Sequence, residues 1–132
     1  MGDPELVLLF DGTCDVSTRL ARWARRRDTS GRLLVEPNQA RGALARFGVS
    51  RAEADRGAWV GDRAGLRWEG AAAISRVLRE LGGAAGLLGR LMEAKPIQPL
   101  AAAGYRWFAR NRSRFRWLGV RPECDEPGSD CE

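Results

Sequence analysis

No histidine occurs anywhere in the 132 residues. That absence removes the serine–histidine–aspartate and cysteine–histidine forms of nucleophilic catalysis, and every metal site built on imidazole. Lysine is nearly missing as well: Lys95 is the only one among 22 basic residues, the rest being arginine. Long hydrophobic runs are also lacking. None approaches the roughly 20 apolar residues that cross a bilayer, so no membrane span is expected. The chain opens with Asp3 and Glu5 ahead of a short apolar run, where an export signal would carry basic residues and a longer apolar core. The expected compartment is therefore the cytoplasm, which keeps thiols reduced. Cysteine is scarce. Beside Cys14 there are only Cys124 and Cys131, with six residues between them in an acidic stretch and poorly spaced for zinc. Neither a metal nor another cofactor is expected, and any chemistry must rest on thiol, carboxylate or guanidinium.

What is present suits one domain with its own core: 44% hydrophobic and 30% charged residues. The charge is unevenly placed. Residues 123–132 hold five acidic residues and no basic one, leaving 22 basic against 12 acidic in residues 1–122. The expected organisation is a domain over 1–122 followed by an acidic tail, 123–132, without fixed structure. A basic body can attract nucleic acid or an anionic surface. A solvated surface written in arginine explains the same skew and is the preferred reading; nucleic acid is not an expected partner.

Periodicity orders the elements. Glu5–Phe10 is a continuous apolar run stopped by the turn pair Asp11-Gly12, which predicts a buried strand. A helix follows from Cys14 or Asp15, with Val16, Leu20, Trp23 and Ala24 as its apolar stripe and an end near Asp28–Gly31. Arg32–Pro37 predicts a second strand, parallel to the first through a right-handed crossover. Asn38–Phe47 predicts a short helix closed by Gly48, and Ser50–Glu53 has the spacing of a capping box. Ala58–Val60 and Leu66–Trp68 flank a turn, as in a hairpin. Gly70–Leu81 predicts a helix with Ala73, Ile74, Val77, Leu78 and Leu81 inward, terminated by the glycine-rich stretch after it. Leu87–Met92 and Ala101–Trp117 complete the set, separated by a break at Pro96 and Pro99. The order β-α-β-α-β-β-α, with extra C-terminal helices, is the thioredoxin-like α/β arrangement: a mixed four-stranded sheet flanked by helices. Tyr105, Phe108, Ala109 and Arg112 share one face of the last helix, so its aromatics are expected to pack on the sheet.

In that arrangement Cys14 lies past the end of the first strand, where a helix begins. Unpaired amide N–H groups and the positive end of the helix dipole converge there, and both favour a thiolate, the nucleophilic form of cysteine. Ser17 stands one turn on, either donating a hydrogen bond to the sulfur or serving only as a first-turn helix residue. Asp11 is either a proton acceptor beside the thiol or the first residue of a turn. Cys14 itself has a plainer alternative, as a small buried hydrophobe.

The stretch "LLFDGTC" resembles the DCC family of thiol-disulfide oxidoreductases, named for its Asp-x-x-Cys-x-x-Cys motif. Asp11 and Cys14 match its first two letters. The hairpin and helix "GDRAGLRWEGAAAISRVLREL", the connection near Pro96, and Tyr105, Ala109, Asn111, Arg112 and Arg114 also match, so the resemblance runs to about residue 121. It implies a thioredoxin-like fold, thiol and disulfide substrates, and Asp11, Cys14 and Ser17 as site positions. One position departs: the family's second cysteine is Ser17 here. Serine cannot resolve a mixed disulfide. Three outcomes follow from the resemblance. Cys14 works as a monothiol with a glutathione-like thiol as resolver; Cys124 or Cys131 swings in from the tail; or redox turnover is lost and the fold serves as a binding or structural module. The first is the primary expectation, a single-cysteine thiol-disulfide oxidoreductase.

Overall fold

A computed structural model of the protein describes residues 5–111, 122–125, 127–129 and 131. Strand β1 (Leu6–Phe10) is central and apolar throughout, as a strand covered on both faces must be. It pairs in parallel with β2 (Leu33–Pro37), and antiparallel with β3 (Trp59–Asp62), which turns back into β4 (Arg67–Glu69). The sheet order β2-β1-β3-β4, with helices packed on it, is the expected thioredoxin-like arrangement.

Side chains alternate across β1 and so divide the core in two. Leu6, Leu8 and Phe10 join Ala21, Ala24, Val35, Val60, Ala73 and Val77 on the face covered by α1 (Asp15–Arg27) and α4 (Ala71–Leu81). Leu9 points the other way, into a smaller cluster with Ala40, Ala43, Val49 and Ala54 beneath α2 (Ala43–Phe47) and α3 (Arg51–Asp55). The capping box forms as the spacing predicts: Ser50 Oγ accepts from the Glu53 N–H, and the Glu53 carboxylate accepts from the Ser50 N–H.

Several boundaries differ from expectation, each for a local reason. Helix α2 starts at Ala43 instead of Asn38, because Gly42 takes a left-handed conformation (φ 75°) that an α-helix cannot pass through. Asn38 is turned inward, donating to Ala54 O and accepting from Arg51. The glycine-rich stretch ends α4 at Gly82 but then begins α5 (Gly83–Glu93). Its glycines allow close packing on α4: a Cβ on Gly89 would lie 2.7 Å from Ser75 O. Helix α6 (Gln98–Asn111) starts ahead of Ala101, with Pro99 in its first turn, where a missing N–H costs nothing. The remainder of the helix expected to reach Trp117, Arg112 included, lies outside the described residues.

Helix α1 is rotated relative to the expected stripe. Its inward line is Thr18, Ala21 and Ala24, continuing back to Cys14, whereas Leu20 is 51% exposed. Small side chains win the interface because they let the helix axis approach the sheet closely. The larger Val16 and Trp23 are half-buried along its margins.

Candidate functional site at the first strand–helix junction

The junction between β1 and α1 is a tight turn in which the Cys14 N–H donates to Asp11 O at 3.1 Å. Asp11 Oδ1 organises this turn. It accepts from the Thr13 N–H at 2.9 Å, the Thr13 hydroxyl at 2.6 Å and Gln39 Nε2 at 2.9 Å. The Gln39 side chain answers with its oxygen, which accepts from the Gly12 N–H at 2.9 Å. Gln39 thus clamps the loop from both ends. It was not singled out in the sequence, although a signal existed: in a parallel pair, the residues leaving β2 emerge beside those leaving β1.

Cys14 is the N-cap of α1, in extended conformation, and its carbonyl accepts from the Thr18 N–H at 3.0 Å. The sulfur makes no capping hydrogen bond to the first-turn amides. Cys14 is buried, at 8% exposure, since its side chain lies on the same inward face as Thr18 and Ala21. Ser17, three residues on, faces another direction. It borders a largely apolar groove of about 110 Å³ shared with Phe10, Leu20, Trp23, Tyr105 and Phe108. Asp11, Cys14 and Ser17 therefore occupy one junction but present themselves differently: a carboxylate committed to the loop, a sulfur turned inward, and a hydroxyl on the groove wall.

Tyr105 and Phe108 of α6 are half-buried and turned toward the sheet, as their spacing predicts. The Tyr105 hydroxyl accepts from the Ala58 N–H at 2.7 Å, just ahead of β3, and its ring contacts Phe108 at 6.3 Å between centroids. Trp107, on the opposite side, is 52% exposed.

The acidic segment also reaches the junction. Glu123–Asp125 form a single 3₁₀ turn, in which the Glu123 N–H donates to Thr18 Oγ1 at 3.0 Å and the Cys124 N–H donates to Gly12 O at 2.9 Å. Arg25 grips the Glu123 carboxylate with both terminal nitrogens, at 2.5 and 3.1 Å, while reaching Val35 O. Cys124 and Cys131 are joined by a disulfide, and Cys131 is bridged to Ala40. Thr18, Arg25 and Glu123 were not anticipated here, since only the folded path of the chain joins them.

A family model for the DCC1-like thiol-disulfide oxidoreductases matches residues 8–119. The chain belongs to that family. No curated protein and no solved structure matches it. Membership of the DCC1-like family carries the general activity, exchange between thiols and disulfides, and the substrate classes that go with it. The DCC1-like match begins inside β1 and takes in the turn and helix around Cys14, the strands that follow and α6, ending before Glu123. No helix of the described residues is long and apolar enough to cross a membrane, and no group of their Cys, Asp or Glu side chains is arranged to hold a metal ion.

Proposed function

We propose that this protein is a single-cysteine thiol-disulfide oxidoreductase in which Cys14 attacks a substrate disulfide. The observation that carries the reading is the position of Cys14: the N-cap of α1, directly after the central strand, in a chain of the DCC1-like family. Attack forms a mixed disulfide on Cys14 and expels the other half of the substrate as a thiolate. Ser17 occupies the position of a resolving sulfur and cannot act as one. It serves as a hydrogen-bond donor at the mouth of the site, and Asp11 keeps the turn in shape. Resolution then needs a thiol from outside the motif, a role open to a glutathione-like molecule. The apolar groove beside Ser17 suits the side chains flanking a substrate disulfide. The domain that carries Cys14 is residues 1–122, acting in the cytoplasm.

Burial of Cys14 means that the substrate disulfide must be admitted by a local opening, so reactivity depends on how the junction is covered. The direct test is incubation of the reduced protein with oxidised glutathione, followed by peptide mass spectrometry. A glutathione adduct at Cys14, and loss of catalysed disulfide reduction in Cys14→Ser, are expected. A Cys14 that stays unmodified under excess oxidised glutathione overturns the reading and leaves the fold as a binding module.

A further inference from the structure

The thiol that clears Cys14 need not come from solution. Cys14 sits between two residues that the tail holds, Gly12 two positions before it and Thr18 four positions after it. Glu123 bonds to Thr18, and the next residue, Cys124, bonds to Gly12. Thr18 and Cys14 are both buried at the start of α1, so the tail is held on the same turn of helix that carries the sulfur. Cys124 is pressed closely into this corner: a Cβ on Gly12 would lie 2.6 Å from its Sγ, which is also 3.7 Å from Gln39 Oε1. As half of a disulfide that sulfur has no proton to donate. As a free thiol it can donate to Gln39 Oε1, so the same clamp that shapes the Cys14 turn also holds the reduced tail.

We infer that Cys124 is the resolving cysteine for a disulfide carried on Cys14, with Cys131 completing the pair, so that the tail supplies the sulfur missing at Ser17. The inference rests on the reading of Cys14 as the attacking sulfur. Three exchanges follow. The Cys14 thiolate attacks a substrate disulfide, forming a Cys14–substrate bond and releasing one substrate thiolate. The Cys124 thiolate attacks Cys14 Sγ, forming Cys14–Cys124 and releasing the second substrate thiolate. The Cys131 thiolate then attacks Cys124 Sγ, restoring the Cys14 thiolate and leaving Cys124–Cys131 oxidised. One substrate disulfide gains two electrons, the tail dithiol loses them, and the thiol protons pass to the products. Two glutathione-like thiols reset the tail and leave as their own disulfide. The Cys124–Cys131 bond in the structure is the end state of this cycle. Cys124 takes the middle role because it is the one beside Gly12, whereas Cys131 is bridged to Ala40.

The test uses the full chain, reduced and then exposed to oxidised glutathione, with peptide mapping over time. Cys131→Ser should accumulate a Cys14–Cys124 disulfide, and Cys124→Ser should retain glutathione on Cys14. Both substitutions lie outside the two apolar clusters, so the fold is retained. In the natural chain, the tail disulfide should form at least tenfold faster than in Cys14→Ser. If Cys131→Ser instead keeps glutathione on Cys14 beside a free Cys124, the tail is no resolver, while the monothiol reading survives. If no variant takes glutathione at Cys14, that reading falls first and this one with it.

Discussion

At the scale of single residues, the junction is governed by what its neighbours leave room for. Gly12 carries no side chain because none fits: a Cβ there would meet both Cys124 Sγ and Pro37 Cβ at 2.6 Å. Gly12→Ala should therefore force the loop, the end of β2 and the tail apart. A loss of about 1–3 kcal/mol is expected for such overpacking, read by denaturant unfolding. The tail should come loose at the same time, seen as faster reduction of Cys124–Cys131. An unchanged midpoint together with an unchanged reduction rate would mean that the tail does not rest on Gly12. Cys14 and Ser17 show how little residue type alone decides here. Their spacing was plain from the sequence, but which of them faces the groove depended on the rotation of α1. That rotation was set by Thr18, Ala21 and Ala24, whose small size carries little weight in a count of apolar residues.

At the scale of elements, local signals with their own chemistry were the most legible. Helix α3 is five residues long and is held at its start by a reciprocal side-chain cap. Glu53, accepting from the Ser50 backbone first and held also by the Ser50 side chain, has its carboxyl pKa below the ordinary 4.5. A carboxylate whose pKa is depressed by folding adds stability above its unfolded pKa, and that stability is lost as the pH falls through the folded value. Glu53→Gln should thus be less stable than the natural chain at neutral pH, with the difference vanishing as acidification proceeds past 4.5. Ser50→Ala should cost about 1 kcal/mol at neutral pH, the usual worth of an N-cap. Thermal melts across that pH range check both, and a Glu53→Gln deficit that persists in acid would show the cap is not electrostatic. The elements read less well were those whose limits depend on close packing. Gly89 against Ser75 turns a glycine-rich stretch, locally a helix breaker, into a helix that could not approach α4 otherwise.

At the scale of the whole molecule, part of the arginine complement is occupied with the protein itself. Arg25, Arg46, Arg51, Arg56, Arg76 and Arg79 each pair with an acid, most of them exposed and individually worth little. Guanidinium groups also lie over the rings of Phe10, Trp23, Trp59, Phe47 and Trp68, so arginine stems roof the aromatic edges of the core. A surface used in this way should bind nucleic acid weakly. Its affinity should fall with salt with a slope worth no more than one or two phosphates. A slope worth several phosphates in a fluorescence titration would instead mark a dedicated site. The −5 tail offsets part of the +10 body, and the pairing of Glu123 with Arg25 is a contact at which that offset is direct.

The amino-acid order by itself determined the sheet, the hairpin, the capping box and the placing of a single cysteine at the mouth of the first helix. Each follows from interactions between residues close in sequence, or from a strand too apolar to lie anywhere but in the centre. Only the tertiary structure decided that Cys14 turns inward, that Gln39 clamps its turn, and that Glu123 and Cys124 return across the junction. Those contacts join residues 27 or more positions apart. Nothing in local periodicity encodes such a meeting; it depends on how closely small side chains let separate elements approach.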